Sequence, residues 1–230
     1  DDDGITWKNI SDGFLKTGTV GKTTITNTLI TSSPTALTVS KYSTAATTLD
    51  VNNVSFDDGG QITFDGTDDV LQISDPNVSS STGFSIEMVI KPNDTSNSPM
   101  VITPASFGLD HYVRFNNNST MSMRIVVATD GISQDFTTTT SLSSTDYHHV
   151  IFTFKQSEGG KAYYHGNQES AASSNFTALD WSGVWNIGQR GNNTYFFDGE
   201  IHIIRIYDNV LTGSEVKQNY NALKGRFNLG

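Results

Sequence analysis

Apolar and polar residues alternate with a period of two in several separate stretches of the chain. Phe84, Ile86, Met88 and Ile90 are apolar, with Ser85, Glu87 and Lys91 between them. Met121, Met123, Ile125 and Val127 repeat the pattern opposite Ser122 and Arg124, and Val150, Phe152 and Phe154 repeat it opposite Thr153 and Lys155. A strand sends successive side chains to opposite faces, so this spacing predicts half-buried β-strands with one apolar and one polar face. Residues 201–207 carry apolar groups on both faces, as a central strand packed on both sides does. A run at residues 162–164 reaches Gly166-Asn167, a tight-turn signal. Turn-forming clusters at residues 57–60, 94–98, 116–118, 159–160 and 191–193 separate the strands. Short strands at such spacing predict an all-β fold, a two-sheet antiparallel jelly-roll sandwich.

One helix stands out against this background. Thr212-Gly213-Ser214-Glu215 fits a capping box, and Leu211 and Val216 are placed for a hydrophobic staple. Val216, Tyr220 and Leu223 then share one face, and Gly225 suits the C′ position, which predicts a C-terminal helix over 213–224 docked on the sandwich. At the other end, residues 17–55 are dominated by Thr and Ser. Their strand propensity is high but large apolar groups are few, so they cannot offset their ordering entropy alone and must pair with the main body or with another chain. The expected organisation is an N-terminal Thr/Ser-rich arm or small β attachment region over 1–58, then one jelly-roll domain over 59–230.

Composition narrows the function. With 230 residues the chain is long enough for a core without staples, and it contains no cysteine, which excludes disulfides, thiolate nucleophiles and Cys-ligated zinc. Lys plus Arg is 14 against 24 for Asp plus Glu, a formal charge of −10 that opposes nucleic-acid and anionic-membrane binding. No apolar run approaches the ~18 residues of a membrane span, so no membrane insertion is expected, and the N-terminal residues show no signal-peptide pattern.

The order of elements resembles the laminin G-like, or concanavalin A-like, jelly-roll superfamily over roughly residues 60–220. Four stretches carry the resemblance: residues 62–73, Ile-Thr-Phe-Asp-Gly-Thr-Asp-Asp-Val-Leu-Gln-Ile; residues 84–92; Tyr147-His148-His149-Val150 and its strand; and Asn186-Ile187-Gly188 with residues 197–201, 205–207 and 211–215. The tail Gln218-Asn219-Tyr220-Asn221-Ala222-Leu223-Lys224-Gly225-Arg226-Phe227 resembles C-terminal ends of jelly-roll proteins in virions of tailed bacteriophages. Together these imply a structural and binding module on a phage virion: a capsid decoration, tail or fibre component. Its partners would be other virion proteins or its own copies in an oligomer, and a host-surface glycan. The alternatives are a bacterial extracellular carbohydrate-binding module and a glycoside hydrolase of the same fold.

Hydrolases of this superfamily carry Glu-x-Asp-x-x-Glu or Glu-x-Asp-x-Glu on one strand, which puts acid and nucleophile on one face. The nearest string is Glu200-Ile201-His202-Ile203-Ile204, where the second and third carboxylates are missing, so a non-enzymatic role is expected. His148 and His149 are expected to be structural, one turned inward and bonding backbone, the other outward. No zinc-type His spacing or Gly-x-Ser-x-Gly elbow is present. Acidic turns are the strongest remaining signal: Asp57, Asp58, Asp65, Asp68, Asp69 and Asp198 offer the oxygen-rich chemistry of Ca²⁺, and the resemblance implies a calcium rim. Tyr163, Trp181 and Tyr195 flank loops and are the expected sugar-stacking rings, while Trp185 and Phe196 are expected in the core.

Overall fold

The computed structural model describes residues 61–105, 111–126, 133–172 and 181–230, together with the backbone of five strands before residue 57. These five are β1 (Gly18–Val20), β2 (Thr23–Ile25), β3 (Ala36–Ser40), β4 (Ala46–Asn52) and β5 (Ser55–Phe56). Then follow β6 (Ile62–Asp65), β7 (Val70–Ile73), β8 (Phe84–Asp94), β9 (Met100–Pro104), β10 (Tyr112–Phe115) and β11 (Met121–Val126). Last come β12 (Ser133–Thr137), β13 (His148–Lys155), β14 (Gly159–Tyr164), β15 (Asn167–Ala172), β16 (Trp185–Ile187), β17 (Asp198–Tyr207) and the helix α1 (Gly213–Leu223).

The strands form two antiparallel sheets. One has the order β1-β2-β3-β4-β7-β16-β9-β10-β11-β12 and the other β15-β14-β13-β8-β17-β6-β5. Neighbours far apart in sequence, such as β16 between β7 and β9, are the crossovers of a jelly roll. In the segment expected as an arm, β4 pairs with β7 through Leu49↔Ile73 to Asn52↔Val70, and β5 pairs with β6. The chain's own sheets therefore supply these pairing partners.

The alternation forecast from sequence fills the space between the sheets. Phe84, Ile86, Met88 and Ile90 of β8 and Val150, Phe152 and Phe154 of β13 meet Val113, Phe115, Met121, Met123, Ile125, Trp185 and Ile187 of the facing sheet, all buried in one cluster. Val127 lies outside the described residues.

The outer face of β8 departs from expectation. Ser85, Glu87 and Val89 are fully buried, although the polar positions predicted a solvated face. The cover is α1 and the turn after it. Val216 packs with Ile151, Tyr163 and Leu211, and Tyr220, Leu223, Phe227 and Leu229 pack with Val89. The seven-strand sheet is thus apolar-filled on one face and clamped by the helix on the other. β17 is central, between β8 and β6, but apart from Ile201 and Gly199 it is half-buried or exposed, with Ile204 and Ile206 packed against the inner cluster and Ile203 against the cluster beneath the helix.

The helix begins as forecast. Thr212 is the N-cap: its hydroxyl accepts from the Glu215 N–H at 3.3 Å, and its own N–H donates to Glu215 Oε2 at 2.7 Å. Those donors hold the Glu215 carboxyl below the usual range. Just before it, Ser85 Oγ donates to the Asn209 carbonyl and accepts from the Leu211 N–H, both at 2.9 Å, tying the approach of the helix to β8. Gly225 keeps a negative φ; the left-handed residue after the helix is Asn228, at φ 49°. The β14–β15 turn is also one residue earlier than the sequence signal. His165 (φ 47°) and Gly166 (φ 76°) form its two-residue loop, the sign pattern of a type I′ hairpin.

Candidate functional site

Three connections meet at one end of the sandwich: the β6–β7 turn, the β8–β9 loop and the β16–β17 loop. They enclose a cleft of about 280 Å³ lined by Asp65, Gly66, Asp94, Asn97, Tyr195 and Asp198, among others. Sheet register sets its chemistry. Asp198 on β17 is the cross-strand partner of both Asp65 on β6 and Asp94 on β8, so three carboxylates stand in a row across adjacent strand ends. Like charges directly opposite each other across a sheet repel, so the row favours a cation or several hydrogen-bond donors in the cleft.

Local hydrogen bonds hold each member. Asn93 Nδ2 donates to Asp198 Oδ1 at 2.9 Å. Asp94 accepts from both the backbone N–H and the hydroxyl of Ser96, each at 2.7 Å, and these donors hold its carboxyl below the usual value. Thr67 N donates to Asp65 Oδ1, and Asp65 N donates to Asp69 Oδ2, both at 2.7 Å. Gly66, at φ 75°, presses against Asp198: a Cβ there would lie 2.9 Å from the Asp198 Cβ. This close approach is why the turn needs glycine.

Among the described residues, one large aromatic ring is exposed. Tyr195 is 45% exposed, with the Arg190 guanidinium 5.8 Å from its ring centre. Its carbonyl accepts from Met100 N at 2.8 Å, and its own φ of 55° turns the loop at that point. An exposed ring beside carboxylate acceptors can stack on the apolar face of a sugar and take its hydroxyl protons.

The structure sorts the residues singled out from sequence. Asp65, Asp68 and Asp69 form the acidic cluster among the described residues, with a ligand oxygen from each within 4.8 Å of the others. Burial pushes the Asp69 carboxyl up, and the charges of Asp65 and Asp68 add to that. A hard cation would relieve the repulsion, and the three carboxylates supply about half of the six to eight oxygen ligands that Ca²⁺ takes. Asp198 joins Asp65 in the cleft instead of completing this cluster, and Asp57 and Asp58 lie outside the described residues.

Of the expected stacking rings, Tyr195 alone is in the cleft. Trp181 is 0% exposed, packed on Phe84 and Trp185, and Tyr163 is 4% exposed beneath α1, so neither offers a ring face to a sugar. Trp185 is in the core as expected, whereas Phe196 is half-buried at the cleft and Phe197 fills the core in its place. Asp94 and Asn97 are cleft residues that sequence reasoning read only as part of a turn. Glu200 sits apart, accepting from Tyr147 Oη at 2.9 Å and Lys91 Nζ at 3.4 Å, with His202 Nε2 3.3 Å away. Burial opposes its ionisation, but these partners outweigh burial and hold it below the usual range.

An antiparallel jelly roll whose loop rim gathers acidic turns and an exposed ring has the architecture of a lectin-like sandwich. The family described as the concanavalin A-like lectin/glucanases superfamily matches residues 65–217, and the chain belongs to that superfamily. No curated protein matched the chain by sequence. Among solved structures, the chain is similar to the binding domain of botulinum neurotoxin serotype D, with 13% identity and a TM-score of 0.64 over 80% of this chain and 48% of that one. It is similar to the binding domain of Paraclostridial Mosquitocidal Protein 1, with 16% identity and a TM-score of 0.62 over 80% of this chain and 49% of that one. The chain therefore spans about half the length of these two domains. Domain 4 of an extracellular arabinanase from Geobacillus stearothermophilus, solved with arabinotriose, shares 17% identity and a TM-score of 0.58 over 76% of this chain and 87% of that domain. Among the described residues no helix is long and apolar enough to cross a membrane.

Proposed function

We propose that this chain is a non-enzymatic saccharide-binding domain and that the rim cleft is its site. The observation that carries the reading is the register-aligned row of Asp65, Asp198 and Asp94 beside the exposed Tyr195 ring. The superfamily and the arabinotriose-bound neighbour support it. Asp65, Asp68 and Asp69 would hold Ca²⁺, which when bound neutralises the acidic rim and fixes the β6–β7 turn. Binding is favoured over turnover because His202, Ile204 and Arg205 stand where hydrolases of the superfamily carry further carboxylates beyond Glu200, which leaves that strand without an acid–nucleophile pair.

The test is a glycan array probed with the intact chain, with and without chelator. Tyr195→Ala is expected to weaken the best ligand about tenfold or more, as loss of a stacked ring does, with folding stability unchanged. Retained affinity in this variant would remove the cleft from consideration.

The C-terminal resemblance extends the proposal to a place on a phage virion, with residues 1–58 as the attachment region and a host-surface glycan as ligand. Deleting residues 1–55 is expected to abolish particle association, followed by particle sedimentation, while residues 59–230 still bind saccharide. Since β4 pairs with β7, the truncated chain exposes β7 as a new sheet edge. Continued sedimentation of the truncated chain with particles would rule this arrangement out.

A further inference from the structure

Four of the chain's five histidines gather where α1 and residues 224–230 meet the seven-strand sheet. The His165 ring lies 4.0 Å from Tyr164 and 5.6 Å from Tyr220 in one stack, with His148 6.3 Å from it. His149 is 5.9 Å from Tyr220 and His202 is 5.2 Å from Phe227, all between ring centroids. We propose that His148, His165 and His202 form an acid-operated latch. With these three rings neutral, the segment over residues 213–230 stays docked on the sheet; protonation releases it. The inference uses none of the rim-cleft residues and does not depend on saccharide binding.

The hydrogen bonds suit neutral rings. A carbonyl can only accept, so His148 Nε2–H donates to the Ser143 carbonyl at 2.8 Å, and Nδ1 accepts the Tyr164 hydroxyl proton at 3.1 Å. His165 Nδ1 donates to the Gly230 carbonyl at 3.2 Å, and its Nε2 is buried without a hydrogen-bond partner. A proton added to His148 Nδ1 displaces the bond from Tyr164. One added to His165 Nε2 enters a buried position where that nitrogen makes no hydrogen bond, which is costly for a charged donor.

The charges of the docked segment oppose protonation as well. Lys217 and Lys224 Nζ lie 5.0 and 5.9 Å from the Tyr220 ring centre, and the Arg226 guanidinium lies 5.0 Å from that of Phe227. The segment's one acidic side chain, Glu215, is engaged by Thr212 at the start of the helix. On the sheet, Asp146 favours a charged His148, Glu200 favours a charged His202, and Glu87 faces His149 at 2.8 Å. Burial outweighs Asp146 at His148. At His202, burial, helped by Arg226 and Lys91, outweighs Glu200, so both rings lie below the ordinary 6.5. At His165, burial with the neighbouring His148 and His149 outweighs the carbonyls of Gly230 and Tyr147, again lowering the value. Once the segment detaches, the rings regain ordinary basicity, so docking weakens as pH falls below 6.5. Glu87, Asp146 and Glu200 are all held below the usual carboxylate range and stay charged over that interval.

Release can be local. The segment's apolar contacts form two clusters, one with Val89 and one with Ile151 and Tyr163, both apart from the core between the sheets. A groove of about 510 Å³ lined by His148, Tyr164, His165, Asn228 and Gly230, among others, brings water to the edge of the stack.

Hydrogen exchange of the intact chain, read by mass spectrometry and corrected for intrinsic rates, tests the latch between about pH 7.5 and about pH 5.5, where each ring weakens docking by up to about tenfold. Protection in peptides from residues 213–230 is expected to fall about tenfold or more at the lower pH, while residues 148–155 of β13 keep theirs. His165→Asn, which sets an Asn-Gly pair in the type I′ turn, and His202→Gln are each expected to shrink that fall. Comparing the two pH values within one variant cancels any loosening common to both. The latch is refuted if the wild type shows no fall, if residues 148–155 lose protection equally, or if either variant keeps the full fall.

Discussion

Glu87→Leu is expected to cost the fold about 2–5 kcal/mol, because it strips two buried donors, on His149 and Tyr207, of their acceptor at about 1–3 kcal/mol each. Urea unfolding measures it directly. Glu87 is 0% exposed beneath α1. One carboxylate oxygen lies 2.8 Å from His149 Nε2; the other accepts from the Tyr207 hydroxyl, from Arg205 Nη1 at 3.2 Å and from Asn219 Nδ2 at 3.2 Å. Arg205 is 45% exposed, so water takes over its interaction and that pair contributes little. The cost comes from the buried donors. His149 is 1% exposed and its Nδ1 already lacks a partner, so without Glu87 either tautomer leaves an N–H unpaired. Tyr207 keeps only Asn219, at 3.1 Å. Glu87→Gln retains a carbonyl acceptor and the volume, and is expected to lose less, about 1–3 kcal/mol.

The same cluster sets a pH dependence. Burial alone would raise the Glu87 pKa, but hydrogen bonds from His149 and Tyr207 and the Arg205 charge outweigh it and hold the carboxyl below the ordinary 4.5. A group whose folded pKa is depressed adds stability above its unfolded value and loses it as pH falls through the folded one. The wild type should therefore weaken as pH drops below the ordinary glutamate range, and Glu87→Leu should weaken less over that interval. An unchanged urea midpoint in Glu87→Leu, or parallel acid limbs in the two proteins, would show that the cluster does not clamp the helix.

Glu87 also marks how far the sequence reaches. Alternation placed the β8 side chains on two faces correctly, because period-two spacing needs only a pleated backbone. It could not say what covers the second face, because that cover comes from α1, more than a hundred residues later. The helix itself was legible from Thr212 and Glu215, whose capping is local. The His148-His149 pair divides as expected between the two faces, with His148 bonding the Ser143 backbone. Even so, the outward ring is buried, again because of the helix. In the rim cleft, the acidic turns at Asp65 and Asp198 could be picked out as oxygen-rich. Asp94 could not, because its role depends on a register linking β8 to β17 across a hundred residues of chain.

Aromatic residues near loops pose the same difficulty, and Trp181→Ala resolves it. By sequence, Trp181 and Tyr195 are equivalent candidates for stacking on a sugar. In the structure Trp181 is fully enclosed, 5.7 Å from Phe84 and 5.0 Å from Trp185 between ring centroids. Its indole Nε1 has no hydrogen-bond partner, and the bond from Trp185 Nε1 runs to its backbone carbonyl at 3.1 Å, so truncation removes packing and no hydrogen bond. A buried Trp→Ala change costs about 3–5 kcal/mol through lost transfer energy and the cavity it leaves. Trp181→Ala should therefore lower the urea midpoint strongly, while the protein that remains folded binds saccharide with wild-type affinity. Tyr195→Ala should do the reverse, because an exposed ring contributes to binding and little to the core. Loss of affinity at an unchanged midpoint in Trp181→Ala would mean that this ring opens to the ligand, and that the rim cleft is not where the sugar stacks.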